Sequence, residues 1–265
     1  MRRQAAAISA TDVHRRLRSV DGNDEISMLG ATLNEMLDRI EESVERERRF
    51  VDRASHELRT PLAIQRMELD VALAGPPAVD ELRAALHSVS QENAHLARLT
   101  QDLLVLSRAR GGALPVRRVE ASLPELMADA CRRISPRAGD VHLTFTAAEA
   151  QVRIDPVWFR QAVDNLVDNA IRHTPAGGRV DVAASRPNGT ILLVVDDTGP
   201  GFTAAPVSAL FEPFASAGRK REREEGSGGL GLAVVRTIAE AHGGRVWAEN
   251  RPQGGARVSM TMADG

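Results

Sequence analysis

From Ile26 to about Leu73, apolar residues recur at spacings of three and four, through Leu29, Leu33, Leu37, Ile40, Val44, Val51, Ala54, Leu58, Leu62 and Leu69. That period confines the segment to one long amphipathic helix. Gly75-Pro76-Pro77 ends it, because glycine costs order in a helix and a proline lacks the N–H that a helix interior uses. A second stripe runs through Val79, Leu82, Leu86, Val89, Leu96, Leu99, Leu103 and Leu106 before Gly111-Gly112 closes it. Two such helices, antiparallel across a tight turn, leave an apolar seam that one hairpin cannot cover on both sides. The pattern predicts that two chains pair into a four-helix bundle. The alternative is a monomeric hairpin folded onto the rest of its own chain.

After residue 113 the period changes. Short runs rich in β-branched residues, at 141–145, 179–184, 190–197, 244–250 and 256–262, alternate with helical stretches near 122–134, 156–173 and 229–242. This predicts an α/β sandwich built on one mixed sheet. A length of 265 residues fits two domains. A formal net charge of -2 supplies no global field toward nucleic acid or an anionic membrane, so any phosphate affinity must be local. The single cysteine, Cys131, excludes an internal disulfide and reads as a buried structural thiol. No apolar run approaches the roughly 18 residues of a membrane helix. The opening, MRRQAAAISATDV, reads as the middle of a longer chain with a membrane-anchoring sensor segment upstream.

Four segments of the second domain make chemical sense together. In DNLVDNAIRHTP, residues 164–175, Asn165 and Asn169 share one helix face, and Arg172 and His173 follow Asn169 by one turn. Their amide oxygens are hard, neutral donors suited to Mg²⁺, which keeps much of its coordination for water and phosphate. Asp197-Thr198-Gly199-Pro200-Gly201 follows an apolar strand, so its carboxylate can accept from an adenine amino group while Gly199 and Gly201 admit close backbone approach. The cluster Gly226-Ser227-Gly228-Gly229-Leu230-Gly231-Leu232 opens a helix whose N–H groups and dipole favour phosphate oxygens. Between these lies 211–228, where Phe211 and Phe214 would anchor a lid carrying Arg219, Lys220, Arg221 and Arg223 toward the phosphates. Taken alone, each segment has a bland reading: a turn, a loop, a solvated charge run.

In their order and spacing they resemble the N box, first glycine box, F box and second glycine box of the Bergerat-type ATP-binding fold of histidine kinases, gyrases and Hsp90-like ATPases. The resemblance covers roughly residues 113–262. Gly228 stands where threonine or serine is commoner, and His173 where tyrosine is frequent.

His56 lies on the first helix beside Glu57, with Thr60 one turn on and Pro61 placed to bend the helix. Histidine titrates near neutrality, so a neutral nucleophilic fraction exists, and an adjacent carboxylate can orient the ring or take its proton. His14, His87, His95, His142 and His242 read as surface residues. The segment SHELRTPL resembles the H box of the HisKA class of histidine kinases. That resemblance implies that His56 accepts the γ-phosphoryl group of ATP, that Glu57 acts as base or orienter, and that Thr60 positions water during dephosphorylation of a response regulator. Upstream, Asp24-Glu25-Ile26 and the stripe through Met36 and Arg39 look like the second helix of a HAMP linker.

The expected organisation is a partial HAMP linker and signalling helix at 1–43, a dimerisation and phosphotransfer domain at 44–110, a linker at 111–115 and an ATP-binding domain at 116–265. The expected activity is autophosphorylation of His56 with ATP and Mg²⁺ in a homodimer, then transfer to an aspartate of a response regulator, with regulator phosphatase activity on the same helix. The expected location is the cytoplasmic portion of a cell-membrane protein, with no nucleic-acid partner. A gyrase-like ATPase is the main rival. It would need a glutamate as water-activating base where Asn165 stands, and Asp168 points away from that face. An anti-sigma-type serine kinase would have no use for SHELRTPL, and a scaffold with a dead nucleotide site would have no reason to keep every site residue.

Overall fold

A computed structural model describes residues 25–74, 78–111, 114–202, 207–215 and 229–265. The chain divides into two compact units between Leu62 and Ala63. Helix α1, Glu25–Leu73, runs without interruption. Pairs one turn apart support its polar face, Glu35 with Arg39 at 2.7 Å and Glu42 with Arg46 at 3.3 Å, each worth only a few tenths of a kcal/mol in solvent. Pro61 lies inside this helix and is buried. The expected bend therefore does not end the helix: the missing N–H costs one rung of the ladder, and the flanking turns carry on.

Helix α2, Val79–Arg110, starts with Asp80 and Glu81 in its first turn, where a carboxylate favours the positive end of the dipole. The Ala78 N–H donates to the Glu81 side chain at 3.2 Å. Residues 63–73 of α1 lie against α2 through Ser88, whose hydroxyl donates to Glu68 at 2.7 Å, and through the Gln65 amide, which donates to the Val89 carbonyl at 3.5 Å. The Gly75-Pro76-Pro77 turn itself lies outside the described residues.

The remainder is an α/β domain. Its strands are β1 (Val119–Ser122), β2 (His142–Ala147), β3 (Gln151–Ile154), β4 (Arg179–Ser185), β5 (Thr190–Asp197), β6 (Val246–Asn250) and β7 (Ala256–Ala263); its helices are α3 (Leu123–Ile134), α4 (Pro156–His173) and α5 (Gly231–Ala241). Five strands form one mixed sheet in the order β2-β4-β5-β7-β6, with β2 and β4 parallel and the rest antiparallel. Strands β1 and β3 pair separately as an antiparallel ribbon, so the single sheet expected from sequence is joined by a second, two-stranded one. Its strands have only 4 residues each, too few to show a period.

Alternation along β4 and β5 turns Val180, Val182, Ile191, Leu193 and Val195 to one buried face. Helices α4 and α5 pack together over the sheet with Phe159, Val163, Leu166, Val234 and Ile238 buried. Asp155 caps α4: its Oδ1 accepts from the N–H groups of Val157 and Trp158 at 3.0 and 3.4 Å, and Pro156 supplies the preset first turn. Its Oδ2 accepts from Arg117 N at 2.7 Å, tying the chain that enters the domain to the helix carrying the site.

Two histidines depart from the surface reading. His242 is fully buried, its Nδ1–H donating to the Ile238 carbonyl at 2.8 Å, and burial lowers its pKa. His95 is half-buried, and desolvation lowers its pKa too. His95 lies within α2 and His242 caps the C-terminus of α5, and at both places a neutral imidazole packs as a flat, largely apolar body. Cys131 is half-buried instead of buried, with its sulfur 3.5 Å from the Ser135 hydroxyl.

Candidate functional site

Asp197 is the last residue of β5, and strand alternation separates it from Asp196. Asp196 turns to Arg257 on the neighbouring strand and forms a two-armed pair at 2.7 Å on each arm. Asp197 turns the other way and is nearly buried at 7 % exposure. Its Oδ1 accepts from Gly199 N at 2.8 Å and Ala256 N at 3.1 Å. Among the described residues Oδ2 accepts no hydrogen bond. One oxygen is thus fixed by backbone and the other remains as an acceptor, the arrangement that fits an amino group of a flat ligand.

The loop after Asp197 is held from outside by residues that sequence reasoning missed. Asn250 pairs with Phe202 through both ends of its amide, Oδ1 accepting from Phe202 N at 2.7 Å and Nδ2 donating to Phe202 O at 2.9 Å. Arg251 Nη1 donates to the Asp197 carbonyl at 2.9 Å. Gly201 has a φ of +73°, and a Cβ there would lie 2.7 Å from Asn250 Oδ1, so both backbone and space require glycine. Gly199 is required by contact alone: a Cβ would come within 2.5 Å of the His173 carbonyl. An open depression lies between these loops, with Arg172, His173 and Thr174 on one side and Thr198, Gly199 and Pro200 on the other.

Asn165 and Asn169 occupy one face of α4, both half-buried. Asn165 Nδ2 donates to the Gly231 carbonyl at 3.3 Å, which places the N box against the start of α5. The Asn169 amide has no hydrogen-bond partner among the described residues, so its oxygen remains available to a cation. No group of three His, Cys, Asp or Glu side chains that could hold a metal lies together among the described residues. A divalent ion here would rest on amide oxygens, phosphate and water, which suits Mg²⁺. Asp168 is committed elsewhere, to Arg137 at 3.1 Å and Arg98 at 3.4 Å.

Among the described residues no side chain caps helix α5 at Gly231, an N-terminus of the kind that accepts an anion. A Cβ on Gly231 would meet nothing closer than 3.7 Å, so packing within the protein does not demand glycine there. Leu230 is buried at 2 % and anchors the turn, while Leu232 is half-buried. Phe214 N donates to the Gly229 carbonyl at 2.9 Å, tying the F box to the glycine box, and Phe211 is buried. Lys220, Arg219, Arg221, Arg223 and Gly228 lie outside the described residues.

His56 is exposed on α1, and Glu57 beside it is half-buried. The Thr60 hydroxyl donates to the His56 carbonyl at 3.2 Å, holding the side chain on the face that carries the histidine.

One contact had no signal in the sequence. Gln161 Nε2, one turn before Asn165 on α4, donates to Asp102 Oδ1 of α2 at 3.1 Å. Burial pushes the Asp102 carboxyl up, while the nearby Gln161 and Asn165 amides and Arg98 pull it back. The i, i+4 pairs Arg98/Asp102 and Gln161/Asn165 are each visible in sequence, but nothing there says that the two helices meet.

Three family models match the chain: the HAMP domain over residues 1–42, the His Kinase A (phospho-acceptor) domain over 46–112, and the Histidine kinase-, DNA gyrase B-, and HSP90-like ATPase over 154–264. The sensor protein CutS of Streptomyces coelicolor is 36 % identical over 263 residues, covering 98 % of this chain and 63 % of that protein. The chain thus spans less than two thirds of the length of such curated relatives. Among solved structures, the Acinetobacter baumannii histidine kinase AdeS aligns with a TM-score of 0.63 at 23 % identity, over 79 % of this chain and 98 % of that one. Histidine kinase ThkA, solved in complex with the response regulator protein TrrA, aligns with a TM-score of 0.62 at 21 % identity, over 86 % and 66 %. At those identities the two structures speak for the fold.

Proposed function

The chain belongs to the sensor histidine kinases, and from that premise we propose that it uses ATP to phosphorylate its own His56 and passes the phosphoryl group to an aspartate of a response regulator. The observation that carries this reading is His56 itself: an exposed imidazole beside Glu57 within SHELRTPL, on an unbroken helix.

Phosphoryl transfer asks a protein chiefly for positioning and charge neutralisation. Asp197 Oδ2 receives the adenine amino group, and the clamped loop from Gly199 to Gly201 lies along the base. The uncapped start of α5 at Gly231 and Leu232 holds phosphate oxygens, with Gly229 and Leu230 setting the turn before it. Mg²⁺ would rest on Asn169 with Asn165 and would neutralise phosphate charge. Arg172, His173, Phe214 and Lys220 complete the nucleotide's surroundings. At His56 one nitrogen attacks the γ-phosphorus in line, the bond to ADP breaks, and Glu57 orients the ring or takes its proton. Thr60 then serves the reverse traffic, holding water against an aspartyl phosphate on the docked regulator.

The active species is a homodimer. Leu69, Leu82 and Leu86 keep 41–56 % of their surface exposed in the single chain, and a second copy is the natural cover for such a stripe. A HAMP segment points to membrane anchorage of the full protein, although no helix among the described residues is long and apolar enough to cross a bilayer. ATP hydrolysis as the main activity is disfavoured, since Asn165 replaces a carboxylate and Asp168 is held by two arginines.

Incubation with γ-labelled ATP tests the reading. The expected label is acid-labile and base-stable, as for a phosphoramidate, and chases onto a receiver domain. An acid-stable label, or steady ADP release with no labelled protein, would overturn it.

A further inference from the structure

Strands β6 and β7 are joined by a turn, residues 251–255, closed on itself by two hydrogen bonds: Arg251 N donates to the Gly255 carbonyl and Gly254 N to the Arg251 carbonyl, both at 3.0 Å. The turn and the residues flanking it fasten both ends of the segment 197–202. At one end Ala256 N donates to Asp197 Oδ1 at 3.1 Å, and Arg251 Nη1 donates to the Asp197 carbonyl at 2.9 Å. Arg251 Nε also lies 3.7 Å from Asp196 Oδ2, which steadies the guanidinium. A Cβ on Gly255 would run into the same Asp197 carbonyl, so the turn lies directly against the strand end. At the other end Asn250 uses its amide on both backbone groups of Phe202, at 2.7 and 2.9 Å. Between these fastenings Thr198, Gly199 and Pro200 border the open depression. A side-chain amide that both accepts from and donates to one residue takes the place of a strand neighbour. Without Asn250 the Phe202 end is released while Asp197 stays tied, and the segment would have to be ordered anew each time a flat ligand enters.

We propose that Asn250 is a positioning residue for recognition of the nucleotide base: it presets residues 198–201 along the ring and so governs affinity for the adenine, not for the phosphates. The inference rests on reading Asp197 as the adenine acceptor and the start of α5 as the phosphate site. All four hydrogen bonds from Asn250, Arg251 and Ala256 go to the base side of that division, to Asp197 and Phe202.

The test compares two probes on the full chain with Mg²⁺: a non-hydrolysable ATP analogue, which uses both parts of the site, and inorganic tripolyphosphate, which uses only the phosphate part. Wild type is expected to bind the analogue more tightly. Asn250→Ala should weaken the analogue about tenfold, as for the loss of two neutral hydrogen bonds, and leave tripolyphosphate within about twofold. Asn250→Asp fills the same space and still accepts from the Phe202 N–H but cannot donate to the Phe202 carbonyl. It should show the same selective loss, and it decides the matter if Asn250→Ala does not fold. Equal weakening of both probes in Asn250→Asp, as from a general loss of folding, would overturn the proposal. A ratio between the two affinities that stays at the wild-type value in either folded variant would overturn it also, with the adenine site itself left standing. A wild type that binds both probes equally would instead refute the adenine reading of Asp197, and this inference with it.

Discussion

The two halves of the chain solve burial in opposite ways. In the α/β domain Leu193, Val234 and Met260 are completely buried, and the polar groups of the nucleotide loop are tied by backbone and side-chain hydrogen bonds. On the helices Met67 and Val71 keep more than half of their surface, and the reactive His56 is exposed. One half completes its own core and offers a rigid, preset site; the other leaves both its apolar stripe and its nucleophile open to partners. On the proposed function the difference has a reason: binding ATP asks for fixed acceptors, whereas His56 would have to meet a nucleotide and then a regulator.

If that contrast is right, damage to each half has a different signature. The largest effect is expected for Asn169→Ala, which should abolish Mg²⁺-dependent nucleotide binding and labelling together; titration calorimetry with and without chelator checks it. Asp197→Asn should weaken nucleotide binding by about ten- to a hundredfold, the range for a hydrogen bond to a charged group, with little change in the melting temperature. Leu82→Glu combined with Leu86→Glu should turn a dimer into a monomer on a sizing column with light scattering and leave nucleotide affinity intact. A monomeric wild type would erase the contrast drawn here. Thr60→Ala should keep autophosphorylation within a few-fold and slow regulator dephosphorylation strongly. Parallel losses would make Thr60 a local helix stabiliser, consistent with its bond to the His56 carbonyl.

The smallest effect sharpens the rigid half. Burial holds the folded His242 pKa below the ordinary imidazole value, so the unfolded chain takes up a proton first as the pH falls. The stability tied to His242 is fully present above about pH 6.5 and declines as pH drops toward the lowered folded value. His242→Gln should flatten that decline in denaturant titrations.

Much of this was legible in the sequence where a period or motif ran long enough. Helix α4 and strand β5 were read to the residue, because capping Asp155-Pro156 and the run TILLVVDD mark their ends. The short ribbon β1–β3 was not, since four residues hold no period. Asp197, Asn165 and Asn169 could be singled out from sequence because their spacing is local. Asn250, Arg251 and Asp102 were missed because they act through contacts 48, 54 and 59 positions away, of Asn250 with Phe202, Arg251 with Asp197, and Asp102 with Gln161. His242 was misjudged because a buried neutral histidine and a surface one look alike in a helical pattern.

The central claim is that binding and chemistry reside in different halves of the chain, and one paired measurement on His56→Gln addresses it. ATP affinity and incorporation of γ-labelled phosphate are determined on the same purified sample. The account predicts wild-type affinity within about twofold and no incorporated label. Label retained at the wild-type level, or affinity lost together with the label, would contradict it.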